Sequence, residues 1–67
     1  MKTYYIVKGS VTDPEAWSEA EGREVIHGEV EWQFSDGLPG ERGSSADFLS
    51  LEEGIKWCSP AIFVWVG

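Results

Sequence analysis

Alternating apolar and polar side chains mark the centre of the chain, between Arg23 and Asp36. From position 29 to position 35 the apolar residues are Val30, Trp32 and Phe34, and the polar residues are Glu29, Glu31, Gln33 and Ser35. A period of two is typical of a strand with one buried and one solvated face. The pattern therefore predicts a central strand with an aromatic inner face and an acidic outer face, interrupted at Gly28, where a glycine favours a bulge.

Three further segments have the composition of strands. Thr3–Val7 is rich in tyrosine, isoleucine and valine, and both of its faces are mostly apolar, which favours a position inside the sheet. Ala46–Leu49 is short and predicts a brief strand. Ala61–Val66 is apolar on both faces, so we expect this last strand to be covered or paired on both sides.

A first helix is predicted between Thr12 and Gly22. Two start signals overlap: Thr12 with Glu15 fits a capping box, and Asp13 can cap with Pro14 at the first helical position. Gly22 is a natural left-handed terminator. The residues that share the face predicted to point inward are Ala16, Trp17 and Ala20.

A second helix is predicted after Ser50, which can cap it with Glu53 reaching back. Its inward stripe consists of Leu51, Ile55 and Cys58. Gly54 weakens a helix by about 1 kcal/mol relative to alanine, so we expect another element to pack closely there. Ser59-Pro60 ends the helix, and the turn-forming residues at 36–45 predict a surface loop.

The elements follow the order strand, helix, strand, strand, helix, strand. This order predicts a single small α+β domain over residues 1–67, with a four-stranded antiparallel sheet and two short helices on one face, in the ferredoxin-like βαββαβ order. The structural alternative is a sheet on which only one helix packs properly. A domain of this size buries only about 60% of its unfolded surface, so most of the nine aromatic residues are expected in the core.

Charge is distributed unevenly along the chain. Twelve acidic residues against five basic ones give a net charge of −7. Seven of these acids form a band that is opposed only by Arg23: Asp13, Glu15, Glu19, Glu21, Glu24, Glu29 and Glu31. Such a field repels nucleic acid and anionic membranes, which are bound through lysine and arginine, and it steers encounters with basic partners.

Catalytic and metal-binding chemistry is poorly supported by the sequence. His27 and Cys58 are the only imidazole and the only thiol, and Cys58 lies on the apolar stripe of its helix, where a core thiol is expected. No metal-ligand spacing and no glycine-rich phosphate motif is present. We therefore expect neither an enzyme nor a cofactor. A lone cysteine without a secretion signal or membrane span predicts a cytoplasmic protein.

Spacing along the acidic band allows an imitation of nucleic acid. Glu29 and Glu31 are separated by about 6.8 Å on a strand, and DNA carries a phosphate about every 3.4 Å along each strand. The band is therefore predicted to dock as a monomer into a lysine- and arginine-lined groove of a nucleic-acid-binding protein. In that case Glu29→Lys with Glu31→Lys should abolish binding while thermal stability holds or rises.

Two other interpretations of the sequence remain open. The acidic band is also compatible with a solvated surface that binds no partner. A different function class is a small structural or self-assembling protein whose copies pair through apolar strands, Ala61–Val66 foremost.

The chain resembles the small acidic inhibitors that phages carry against bacterial defence systems, anti-CRISPR proteins above all. The resemblance consists of the short length, the acidity clustered between Asp13 and Glu31, and the lack of a cofactor motif or secretion signal. It implies a stoichiometric inhibitor, in the host cytoplasm, that occupies the DNA-binding or PAM-reading surface of a CRISPR effector complex.

Overall fold

A computed structural model describes residues 1–37 and 43–67 of the chain. In the described residues the elements are β1 (Lys2–Ser10), α1 (Pro14–Glu21), β2 (Val30–Ser35), β3 (Ser45–Phe48), α2 (Leu51–Cys58) and β4 (Ala61–Trp65). The α+β class and the order of elements along the chain are confirmed. Half of the loop predicted at 36–45, residues 38–42, lies outside the described residues.

The four strands form one mixed sheet in the order β3-β2-β1-β4. β2 runs antiparallel to β1 and to β3, whereas β1 and β4 run parallel, with Lys2 opposite Ala61. The prediction of a purely antiparallel sheet is therefore wrong, and this strand order does not confirm the ferredoxin-like arrangement. The physical reason is the α2 crossover, which returns β4 in the direction of β3 and hence of β1.

The prediction for the position of β1 in the sheet is correct, and the prediction for β4 is wrong. β1 lies inside the sheet, between β2 and β4, as its two apolar faces predict. β4 has equally apolar faces but lies at the edge, where Ile62 is 53% exposed and Trp65 is 57% exposed. Apolar composition on both faces therefore did not identify a covered strand here.

The main core is built around Phe34, whose side chain is fully buried. The rings of Phe48 and Phe63 meet it edge-on, with centroids 5.6 and 5.9 Å away, and Ile6 is its cross-strand neighbour. Gly54 of α2 lies directly on the Phe34 ring, so that a Cβ at this position would overlap the ring. This contact is the close approach that the helix glycine predicted, and it places α2 on the face of the sheet that we call the helix face.

Helix α1 begins as the second of its two predicted start signals indicates. Asp13 caps it by accepting a hydrogen bond from the N–H of Ala16 at 3.3 Å, Pro14 follows, and Gly22 ends it with φ of 69°. No residue of α1 is buried. Ala16 is exposed and Trp17 is only half-buried, so the predicted inward face is wrong and the alternative with one well-packed helix is the one observed.

Hydrogen bonds of Ser18 hold α1 to the following segment. Val25 in that segment is buried, at 3% exposure, and so is Val11, at 0%. The Ser18 hydroxyl accepts from the N–H of Val25 at 2.8 Å and lies 2.7 and 3.2 Å from the carbonyl oxygens of Pro14 and Val25. One serine therefore connects the helix to the chain that leads into β2.

The central strand is shorter than the stretch in which the sequence placed it, because it begins at Val30. Gly28, with φ of 94°, precedes it, and its N–H donates to the carbonyl of Val11 at 3.2 Å. The glycine thus separates a turn from the strand. Within β2 the alternation is correct at Phe34, which is buried on the helix face, and at Gln33, which is exposed on the opposite face, which we call the open face. It is wrong at Val30, which is 38% exposed.

Candidate protein-binding site

The structure divides the predicted acidic band into two groups. One group, which we call the acidic face, consists of Asp13, Glu15, Glu19, Glu31 and Asp47. These carboxylates line three adjoining surface depressions. The first depression is lined by Asp13, Glu15 and Glu19. Asp13 also lines the second depression, together with Asp47, and Asp47 also lines the third, together with Glu31. Four of the seven predicted residues are therefore brought together, with one additional acid.

The other three predicted acids lie around Arg23. Its guanidinium contacts the Glu29 carboxylate at 3.0 Å and donates to the carbonyl of Glu24 at 2.9 Å. The hydrogen bond that Arg23 donates to Glu29 is the main cause that raises the pKa of Arg23, and the charge of Glu21 contributes. Glu29 also accepts from the N–H of Ile26 at 2.8 Å. Its role in the structure is to hold the turn before β2.

This local role changes the expectation for the Glu29 substitution. The hydrogen bond from Arg23, together with that from Ile26, lowers the pKa of the Glu29 carboxyl. Glu29→Lys would place two cations side by side and remove the acceptor of the Ile26 N–H. We therefore expect this substitution to lower stability, in contrast to the unchanged or raised stability that the sequence suggested for the Lys pair.

Glu31 lies on the open face of the sheet, opposite Gly9 and beside Asp47. Burial raises the pKa of the Glu31 carboxyl, and the charge of Asp47 raises it further. The side chain of Trp17 acts in the opposite direction and lowers it. Two carboxylates held this close concentrate negative charge at one point of the acidic face, at a cost to the folded state.

Glu31→Gln is expected to raise the thermal stability at pH 7. The raised pKa means that the folded state binds a proton more tightly than the unfolded state, so wild-type stability falls as the pH rises through the folded pKa. The penalty is complete above that pKa and absent below the unfolded pKa of about 4.3. Melting temperatures of both proteins from pH 4 to pH 8 should converge at the acidic end.

Glu29→Gln is the control, because it is expected to change the thermal stability at pH 7 in the opposite direction. Because the pKa of Glu29 is lowered, its stabilising effect is present above the unfolded pKa and is lost as the pH falls through the folded pKa. The variant should therefore melt below the wild type at pH 7 and approach it in acid. Equal behaviour of the two variants would contradict these assignments.

An apolar depression lies within the acidic face. It is lined by Ala16, Trp17 and Ala20, with Asp13 and Asp47 beside them. Protein interfaces commonly combine an apolar centre that contains an aromatic residue with a polar rim. The residues that the sequence predicted as the buried face of α1 instead form the centre of an accessible surface.

Asp47 is the member of the acidic face that sequence reasoning missed. It lies in the short β3, where the register places it opposite Gln33 and diagonally across from Glu31. Its sequence signal is weak, since one aspartate in four residues predicts only a polar outer face. The register between β2 and β3 brings it to the site, and alternation alone does not determine register.

Other chemistry receives no support from the described residues. Cys58 is half-buried, and burial raises the pKa of its thiol, which keeps the sulfur protonated at neutral pH. Residues 1–37 and 43–67 contain no group of three or more side chains that could hold a metal ion. In the same residues no helix has both the length and the apolar character needed to cross a membrane.

The fold and the acidic face were compared with known proteins at three levels. The described residues form a mixed four-stranded sheet with one packed helix and a carboxylate-lined face. Comparison with models of protein families, with curated proteins and with solved structures gave no match.

Proposed function

We propose that this chain is a small acidic protein-binding inhibitor that occupies a basic, nucleic-acid-binding surface of a partner protein. The observation that carries the proposal is the acidic face. Its five carboxylates line adjoining depressions, and none of the described residues that line them is a lysine or an arginine. A partner therefore meets uniform negative charge over this surface.

Electrostatics explains why such a surface selects a nucleic-acid-binding partner. Grooves that bind DNA or RNA are lined with lysine and arginine placed to neutralise regularly spaced phosphates. A row of carboxylates can satisfy the same groups, and charge complementarity accelerates association and excludes wrong partners. The chain itself, with net charge −7, is repelled by nucleic acid and competes for the groove without binding its ligand.

Trp17 supplies the apolar contact that charge alone lacks. It is half-buried within the acidic face and lies beside Asp47. An arginine of the partner could stack on its indole ring while bonding to a neighbouring carboxylate, and tryptophan is among the residues most enriched at binding hot spots. The proposal therefore assigns Trp17 a contact with the partner.

The acids around Arg23 have different roles in this proposal. Glu21 and Glu24 are exposed and extend the negative field beyond the acidic face. Glu29, which is paired with Arg23, orders the turn that precedes β2. Direct contacts are therefore proposed first for Asp13, Glu15, Glu19, Glu31 and Asp47, with Glu21 and Glu24 at the periphery.

A CRISPR effector complex is the specific partner that the resemblance to anti-CRISPR proteins suggests. Its guide-bound form has a positively charged channel for the nucleic-acid duplex, and its PAM-reading surface uses arginine. The inhibitor would act stoichiometrically in the cytoplasm of the host cell. The acidic face supports a basic groove as the partner surface, and the CRISPR assignment extends the proposal to one class of such grooves.

The test compares charge reversals at two places on the molecule. Glu15→Lys with Glu19→Lys alters the acidic face, and Glu52→Lys with Glu53→Lys alters α2. Each pair changes the net charge from −7 to −3, because each substitution adds two charges. Each variant is immobilised and used to capture proteins from a bacterial lysate at low and at high salt. Every captured protein is then purified and titrated with labelled DNA in the presence of the chain.

The expected result is a captured nucleic-acid-binding protein that loses its DNA when the chain is added. Its affinity for the Glu15 and Glu19 variant should be at least tenfold lower than for the wild type, since about 1.4 kcal/mol corresponds to tenfold. The Glu52 and Glu53 variant should bind nearly as well as the wild type. Equal weakening in both variants, or captured proteins that do not bind nucleic acid, would contradict the proposal.

A further inference from the structure

The edge strand β4 has backbone groups that face away from the sheet. Its one strand neighbour among the described residues is β1. The N–H of Val66 donates to the carbonyl of Ile6 at 3.0 Å, so by alternation the backbone groups of Ile62 and Val64 also point to β1. The outward-facing backbone groups of the strand belong to Ala61, Phe63 and Trp65. An edge of this kind is a ready template for another strand.

The side chains along this edge are apolar and accessible. The exposed fractions are 53% for Ile62, 39% for Val64, 57% for Trp65 and 44% for Val66. No charged residue occurs from Ser59 to Gly67. α2 packs chiefly on β2 and β3 and leaves this half of the helix face open. Natural edge strands are usually protected by charge, proline or a cover. Pro60 directly precedes β4, but the five residues of the strand contain neither proline nor charge, and no other strand of the described residues covers its outer edge.

We propose that two copies of this chain pair through their β4 strands, antiparallel and across a two-fold axis, to form a continuous eight-stranded sheet. The inference departs from the monomer expected from the sequence, and it is independent of the proposed inhibitory function. A second copy of the chain is the expected partner of the β4 edge, because side-chain size, surface area and charge all favour self-pairing.

Side-chain sizes match when the outward-facing residues of the two strands are paired. With the two-fold axis at Phe63, Phe63 lies opposite Phe63 of the second copy, and the large Trp65 lies opposite the small Ala61. On the open face, Ile62 lies opposite Val64 of the second copy. The Trp65 ring is already held by Trp32, with centroids 5.7 Å apart, so little side-chain ordering is required.

Surface area is consistent with a small dimer. A monomeric protein of 7.5 kDa exposes about 4,250 Å² on the general relation between mass and surface, and this chain exposes 4741 Å². The excess is about 500 Å² per copy over the whole surface, and a pair that buried this much of each copy would lie at the lower limit of about 1,000 Å² for a specific interface. We therefore expect a weak dimer whose population depends on protein concentration.

Charge permits the two copies to approach at β4, because no charged residue occurs from Ser59 to Gly67. Asp47 lies on β3, at the opposite edge of the sheet. In the eight-stranded sheet the two β3 strands are seven strand spacings apart, about 34 Å, which is several times the Debye length of about 8 Å at physiological salt. β3 has four residues and carries an exposed aspartate, so the outer edges of the dimer resist further growth.

The test measures the mass of the protein in solution by sedimentation from about 5 to 500 μM. The wild type should shift from monomer to dimer within this range, and added salt should preserve or strengthen the dimer because it screens the repulsion between acidic copies. Ile62→Lys should weaken dimerisation at least tenfold. Ile26→Lys is the matched control, since Ile26 is also exposed, at 58%, and lies in the turn before β2; it should dimerise as the wild type does.

The register is tested by mixing two variants. Ile62→Lys in one copy faces Val64→Glu in the other, so the mixture should form a heterodimer although each variant alone is a monomer. Circular dichroism establishes that both variants are folded. A wild type that remains monomeric at 500 μM, a dimer insensitive to Ile62→Lys, a mixture that does not rescue association, or open-ended growth with concentration would each overturn the proposal.

Discussion

Replacing Gly54 with alanine is expected to destabilise the domain by about 2 kcal/mol. Alanine favours the helix by about 1 kcal/mol, but its Cβ would overlap the buried Phe34 ring, and overpacking a tight core costs about 1–3 kcal/mol or more. The severe overlap and the confinement of Phe34 between Phe48 and Phe63 favour the upper end. In a domain of this size, about 2 kcal/mol lowers the melting temperature by about 8–16 °C.

The same contact provides its own control. Phe34→Leu shortens the side chain below Gly54, so the double variant should be more stable than the sum of the single changes predicts, by at least about 0.5 kcal/mol. Urea titrations of the wild type, both single variants and the double variant give this coupling. A Gly54→Ala variant more stable than the wild type would show that α2 does not rest on Phe34.

Ser18→Ala is expected to lower the free energy of unfolding by about 1–3 kcal/mol, the cost of leaving a buried polar group without its partner. The Ser18 hydroxyl accepts from the N–H of Val25, a nearly buried residue, and lies within reach of two carbonyl oxygens. Because α1 has no buried residue of its own, we expect the hydrogen bonds of this hydroxyl to contribute substantially to holding the helix. Thermal unfolding and hydrogen exchange at the Val25 amide measure the change.

Ser18→Thr distinguishes the effect of losing the hydroxyl from the effect of changing the side chain in general. Threonine keeps the oxygen and should retain most of the stability and the slow exchange at Val25. If the alanine variant melted within about 1 °C of the wild type, α1 would be held by other contacts, and the position of the acidic face would need a different explanation.

Periodicity predicted the helices and strands well, their buried faces only in part, and strand pairing poorly. The alternation in β2 correctly placed Phe34 inside and Gln33 outside, and the glycine in the second helix correctly indicated a close contact. Neither pattern specifies which strand lies beside which, or in which direction. The parallel pairing of β1 with β4 depends on the α2 crossover. The alternation of apolar and polar residues contains no information about the direction in which that crossover returns the chain.

The candidate site shows the same division between local and long-range information. The cap at Asp13 was predicted from neighbouring residues, and it fixes where the α1 carboxylates begin. The pairing of Arg23 with Glu29 depends on the turn at Gly28, and the approach of Asp47 to Glu31 depends on strand register. Both contacts depend on the tertiary structure. The predicted band therefore included Glu29, which is paired with Arg23, and missed Asp47.

The pairing of β1 with β4 has a consequence for the time course of folding. Lys2 meets Ala61 and Ile6 meets Trp65, so β1 acquires its second neighbour from a strand that lies far from it along the chain. Contacts this distant along the chain slow folding because a large loop must close before any of them forms. A nascent chain that lacks β4 would leave one edge of β1 unpaired, and we expect native structure to appear only after β4 has been synthesised and has joined the sheet.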